Sequence, residues 1–319
     1  MISFALAVLL ASVLAGETPP RRAHHALAFD ESRGLVILTA GSTPLDGGQR
    51  FQLFNDMWGF DGRAWVKLAE TGEKLSGIGL AYDAKRRRLL SFGGFDGRSR
   101  DILRAFDGES WTKLGRLPAM TAAEPGFVHD VARDRFVAFG GSPGPRRANG
   151  DTWEFDGSEW TKIDVVTSPE ARQAHAMTFD SKRNRTVVFG GMIAESAPGS
   201  PRPAANDTWE YDGKTWTKID APGPPGRAGA GVAFDSKRGR VILFGGDAEK
   251  GVLGDTWAYD GKSWTKLSDT GPEPRVMGYL AYDPKRDRVV LFGGRKGWPD
   301  DLDDTWEFDG QAWKKFEPK

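Results

Sequence analysis

The chain has 319 residues, with Lys+Arg and Asp+Glu balanced at 44 each, 41 glycines, 12 tryptophans and no cysteine. Balanced, scattered charge excludes a basic footprint for nucleic acid or an anionic surface, and the missing cysteine excludes disulfides, thiolate metal sites and cysteine nucleophiles. What remains is a turn-rich globular chain with large aromatic anchors, long enough for one large all-β domain or two ordinary ones.

The chain opens on an apolar run, Met1 to Ala15, too short to cross a bilayer comfortably as a helix of about 20 residues. Val13 and Ala15 stand three and one residues before a cut ahead of Gly16, and polar residues follow. The segment 1–15 is therefore expected to be a signal peptide, and the mature chain to be secreted, periplasmic or in the cell envelope. A retained membrane anchor is the rival reading, because the amino terminus supplies the only positive charge ahead of the run. No other apolar run of spanning length follows, so no membrane span is expected in the mature chain.

From Pro19 onward the sequence repeats. The phrase AFDSKRGRVILFGG, Ala233 to Gly246, recurs around Asp30, Asp83, Asp130, Asp180, Asp235 and Asp283. The step from each to the last Gly of its phrase (Gly41, Gly94, Gly141, Gly191, Gly246, Gly294) is always 11. A second phrase, aromatic-Asp-Gly then Trp, recurs at Asp61/Trp65, Asp107/Trp111, Asp156/Trp160, Asp212/Trp216, Asp260/Trp264 and Asp309/Trp313, always with a step of 4. The repeats span approximately 19–67, 70–114, 117–163, 168–219, 222–267 and 273–316 within a domain covering 16–319.

Each repeat reads as four short strands, A to D. RVILFG is apolar and β-branched, and DTWEY alternates, with Trp and Tyr on one face. Asp-x-x-Arg is a polar turn between A and B, and Asp-Gly has the composition of a tight hairpin between C and D. A lone four-stranded sheet exposes two apolar faces, and a ring of such sheets buries both. Eleven of the tryptophans fall on repeat positions and are accounted for by packing between sheets. Two repeats depart from the pattern: Arg104 stands where the second strand C carries Trp elsewhere, and Thr39-Ala40-Gly41 replaces Phe-Gly-Gly in the first.

Four-stranded repeats of this length with a Gly-Gly pair and a later Trp resemble the kelch-repeat superfamily, in particular the secreted kelch-like proteins related to the galactose oxidase propeller domain. The resemblance covers about Pro19 to Phe316 and implies an all-β fold, a six-bladed kelch-type β-propeller with four antiparallel strands per blade. It implies no single activity, because the architecture hosts many. The copper site of galactose oxidase needs a Tyr crosslinked to Cys, so with no cysteine that cofactor is excluded, and no cofactor or metal is expected.

Alternating strand direction puts the A–B and C–D turns on one face of the disc and the B–C and D–A connections on the other. Spacing on the first face is constant. From the last Gly to the start of strand C it runs 15, 8, 10, 16, 9 and 10, so the second face varies, and variable loops on a rigid scaffold are where binding resides. There Arg recurs eight residues before the first Asp, as Arg22, Arg172, Arg227 and Arg275. In kelch domains that bind acidic peptides, arginines near this edge point into the pocket, so the resemblance makes these four candidates for holding ligand carboxylates. The competing reading is that each pairs within its own repeat. Tyr279 is large where other repeats carry Ala or Gly, and Trp298 is the one Trp outside the framework; both join the candidate ligand-binding set. His25 and His175 share a repeat position and read as strand residues. Asp300, Asp301, Asp303 and Asp304 are hard-oxygen ligand types, yet a solvated acidic loop accounts for them.

The sequence thus points to a non-catalytic, monomeric binding scaffold that recognises a protein segment or glycan on the face formed by the B–C and D–A loops. The alternative is a carbohydrate-active enzyme such as a sugar-acid mutarotase or glycosidase, using the arginines and Tyr279. The stretch NDTWEYDGKTW, Asn206 to Trp216, is assigned to scaffold.

Overall fold

The fold is seen in a computed structural model that describes residues 17–117, 120, 122–144, 146–194 and 203–318; the expected signal peptide lies outside them. Six four-stranded antiparallel sheets follow one another along the chain, each made from one repeat. In blade 4 strand A is Ala176–Asp180, B is Arg185–Phe189, C is Thr208–Tyr211 and D is Trp216–Ile219. The other blades superpose on this register: Asp180 faces Arg185, Val188 faces Trp209, and Tyr211 faces Trp216. Strand B is buried on both faces beyond its first residue because its side chains meet a neighbouring blade on each side, which is why in blades 5 and 6 Arg is followed by an unbroken run of Val, Ile, Leu and Phe.

The A strands line the axis, each touching the A strand of the next blade, and strand A of blade 6 (Tyr279–Asp283) touches that of blade 1 (Ala26–Asp30). The ring closes without strand exchange: the last sheet holds Tyr279–Asp283, Arg288–Phe292, Thr305–Phe308 and Trp313–Lys315, all from one repeat. Side chains seal the seam. Trp65 Nε1 of blade 1 donates to Thr305 Oγ1 of blade 6 at 2.9 Å, and Phe60 packs edge-on against Phe316 at 5.0 Å. One apolar cluster fills each of the six junctions.

Among the described residues three blades add a short hairpin in the B–C connection, formed by Ser42–Leu45 with Arg50–Leu53 in blade 1, Asp247–Ala248 with Gly251–Val252 in blade 5 and Arg295–Gly297 with Asp300–Asp301 in blade 6; in blade 4 Met192–Ile193 of the B–C connection pairs with Arg172–Gln173 of the D–A connection. Among the described residues no helix is long and apolar enough to cross a membrane.

Candidate functional site

On the turn face the repeated charges are used within the fold. The C–D turn aspartate caps its own hairpin: Asp212 Oδ1 accepts the backbone N–H groups of Lys214 and Thr215, both at 2.8 Å. The A–B aspartate is buried and paired with the arginine three residues on, which reaches across to the C–D turn of the following blade. Arg86 donates to Asp156 O at 3.2 Å, Arg133 to Gly213 O at 3.5 Å and Arg238 to Asp309 O at 2.6 Å. Gly213 has φ of 95°, and a Cβ there would fall inside the Arg133 guanidinium, so the Gly of NDTWEYDGKTW serves both the turn and the clasp.

Asp83, His129 and Asp134 bring ligand-type atoms within 4.8 Å of one another at this face. Arg86 Nη1 already lies 3.3 Å from Asp83 Oδ1 and 3.1 Å from Asp134 Oδ1, so a guanidinium occupies the space a metal ion would take. Blades 5 and 6 repeat the arrangement with Arg238 between Asp235 and Asp287, and Tyr282 in the place of His129. The cluster is a clasp between blades.

The four candidate arginines lie on the other side of the disc, and all are buried, at 0–1% exposure. Arg172 Nη1 and Nη2 grip Asp207 at 2.6 and 3.1 Å; Nη1 also donates to Gly190 O, and Nε to Glu170 O, each at 2.9 Å. Arg22 holds Asp56, Arg227 holds Asp255 and Arg275 holds Asp304 in the same way. The second carboxylate oxygen accepts the indole N–H two residues on, as from Trp209 to Asp207 at 2.7 Å. Burial alone would raise the pKa of these carboxylates, and the arginine hydrogen bonds carry them below the ordinary value instead. The carboxylate that each arginine was expected to take from a ligand is thus supplied by its own blade.

Tyr279 is partly buried near the axis, edge-on to His25 at 5.4 Å, and its hydroxyl contacts Met277 Sδ at 3.7 Å. Burial pushes its phenol well above the ordinary value, which keeps it neutral, opposite to the needs of a nucleophile. Above it His24 Nδ1 and Glu124 Oε1 meet at 2.7 Å, joining blades 1 and 3. The described axial cavity, about 360 Å³, is lined instead by the C-terminal halves of the A strands and by Glu31, Val131 and Ser181, at the turn face.

Trp298 stands apart from these groups. Its indole is 56% exposed at the tip of the blade 6 hairpin, 5.6 Å from the ring of Phe51, which is 51% exposed on the blade 1 hairpin. The Arg295 guanidinium backs the indole at 4.8 Å and is itself fixed by Asp301 at 2.6 Å, so the ring is held in place while its edge stays open. Leu45 is exposed on the same blade 1 hairpin, and Phe95 on the B–C connection of blade 2. All three exposed aromatic residues among those described are therefore on B–C connections. Sequence reasoning found Trp298 and missed Phe51 and Leu45; the signal was the 15-residue step in blade 1, which makes room for the hairpin. Asp301 and Asp304, two of the acidic-loop residues, are paired with Arg295 and Arg275.

Residues 127–319, about three-fifths of the chain, match the family model of the KLHDC2/KLHL20/DRC7 kelch-repeats domain. The chain belongs to the kelch-repeat family. The repeated Gly-Gly pairs and strand D tryptophans are the parts of a kelch blade. The four-stranded sheet and the strand D tryptophan extend to blades 1 and 2, outside the matched span, and the Gly-Gly pair to blade 2. Kelch propellers are typically protein-binding scaffolds, and the division between a clasped turn face and a face of open hairpins fits that use.

Proposed function

We propose that this kelch propeller is a non-catalytic binding scaffold whose contact surface is the face of the B–C and D–A connections, centred on Trp298 and Phe51 at the junction of blades 6 and 1. The observation that carries this reading is the placement of Trp298, Phe51 and Phe95, the exposed aromatic residues among those described, on that face. Exposed aromatic rings held by neighbours are the residue type that anchors protein interfaces, since they bury much apolar area with little loss of conformational freedom. The occupant is a protein segment. The four buried arginines support the blades and take no part in holding it.

The test is a screen of the purified chain against an immobilised peptide library, with a glycan array as the competing arm. Peptide hits whose affinity falls about tenfold or more in Trp298→Ala with Phe51→Ala, and is unchanged in Val131→Asp on the turn face, support the proposal. Hits retained by the double variant, or found among glycans alone, contradict it.

A further inference from the structure

The six junctions between blades are not equally fastened. In four of them the strand D indole donates to a threonine on strand C of the preceding blade, as Trp216 does to Thr152 and Trp264 to Thr208, both at 2.8 Å. Met57 takes the threonine position in blade 1 and Leu103 takes it in blade 2, so Trp111 Nε1 and Trp160 Nε1 are buried without acceptors. A buried donor left unpaired weakens the packing around it. Both flanks of blade 2 are affected.

The flanks differ in what offsets the loss. Between blades 2 and 3, Lys85 Nζ and Arg86 Nη1 donate to Asp134 at 2.8 and 3.1 Å, and twelve buried residues form the apolar cluster. Between blades 1 and 2 that cluster has five, Ala28, Ile37, Met57, Leu89 and Phe106, the smallest of the six. Ser32 stands where blade 2 has Lys85, and Gly59 where blades 3 and 4 carry Glu154 and Glu210, which accept the Tyr211 and Tyr259 hydroxyls of the next blade. Arg33 lies 5.4 Å from the Phe106 ring and hydrogen-bonds to Asp30 of its own blade. Among the described residues, no side-chain hydrogen bond joins blade 1 (26–70) to blade 2 (76–116). Backbone bonds at the hairpin face remain, such as Gly77 N–H to His24 O at 2.7 Å, and these have counterparts at other junctions. The seam where the chain ends meet keeps its indole–threonine bond and nine buried residues.

We propose that the ring opens first between blades 1 and 2, about the 71–75 connection, and not at its closing seam. Blade 1 then moves with blade 6, so the opening leaves Trp298 and Phe51 together. The chain has no cysteine, so one introduced thiol reports local opening by its labelling rate. Ile37 and Ile242 hold the same strand B position, are fully buried and face the following blade, across junctions 1–2 and 5–6. Under native conditions Ile37→Cys should be labelled at least about tenfold faster than Ile242→Cys, and faster than Val290→Cys at the seam. Labelling of Ile37→Cys no faster than either reference overturns the proposal. If Ile37→Cys does not fold, Leu89→Cys reports the same junction from blade 2, with Val241→Cys between blades 4 and 5 as its reference and the same outcomes deciding.

Discussion

The two faces of the disc are built from the same residue types and use them in opposite ways. On the turn face, every A–B aspartate is paired with its arginine and the C–D aspartates cap their hairpins, so charge is consumed in joining blade to blade. On the hairpin face, arginine and aspartate are also paired, but sunk below the surface, and aromatic rings stand above them. Charged residues that recur in register are fastenings here, and Trp298, a tryptophan outside the register, is left open. Position in a repeat therefore separates scaffold from contact surface better than residue type does.

The sharpest way to break that comparison is to cut a fastening. Arg275→Ala strands the Asp304 carboxylate inside blade 6, and the expected loss is about 3–5 kcal/mol in denaturant unfolding; a loss below about 0.5 kcal/mol would return Arg275 to the contact surface. Acid should act next. Burial lowers the pKa of His25 well below its ordinary value and that of His175 to about 3, so both are neutral in the fold and charge on unfolding. Their contribution is fully present above pH 6.5, the ordinary histidine value, and falls by about 1.4 kcal/mol per pH unit per histidine below it. Unfolding measured from pH 7 to pH 5 should show this slope, and His175→Leu should reduce it. Asp212→Ala, which removes two capping hydrogen bonds from the blade 4 hairpin, should cost about 1 kcal/mol by the same assay. Smallest is Trp298→Ala, expected within about 0.5 kcal/mol of the native chain because its indole is solvated on one side. A larger loss would make Trp298 a fastening too.

The propeller was legible because its turns tolerate no insertion. An aspartate that caps the backbone two and three residues on fixes the spacing, so the steps of 11 and 4 survive where side chains drift. The role of the arginines was harder to read. Each partner lies far along the chain in strand C, as Asp207 does for Arg172, and only folding brings the two together. A clue was present: every blade with this arginine also has Asp and Trp in strand C, and blade 2 has none of the three, although blade 3 keeps Asp151 and Trp153 without the arginine. The pairing of Trp298 with Phe51 had no local signal, since the two come from opposite ends of the chain and meet only because the ring closes. The axial cavity was likewise invisible, because it depends on how six A strands converge.

Hydrogen–deuterium exchange of the chain with a bound peptide from the library tests the division of faces most directly. The account predicts slowed exchange in the hairpins at 42–53 and 295–301, with the A–B turns unchanged. Protection confined to the turns around Glu31, Val131 and Ser181, at the mouth of the axial cavity, would contradict it.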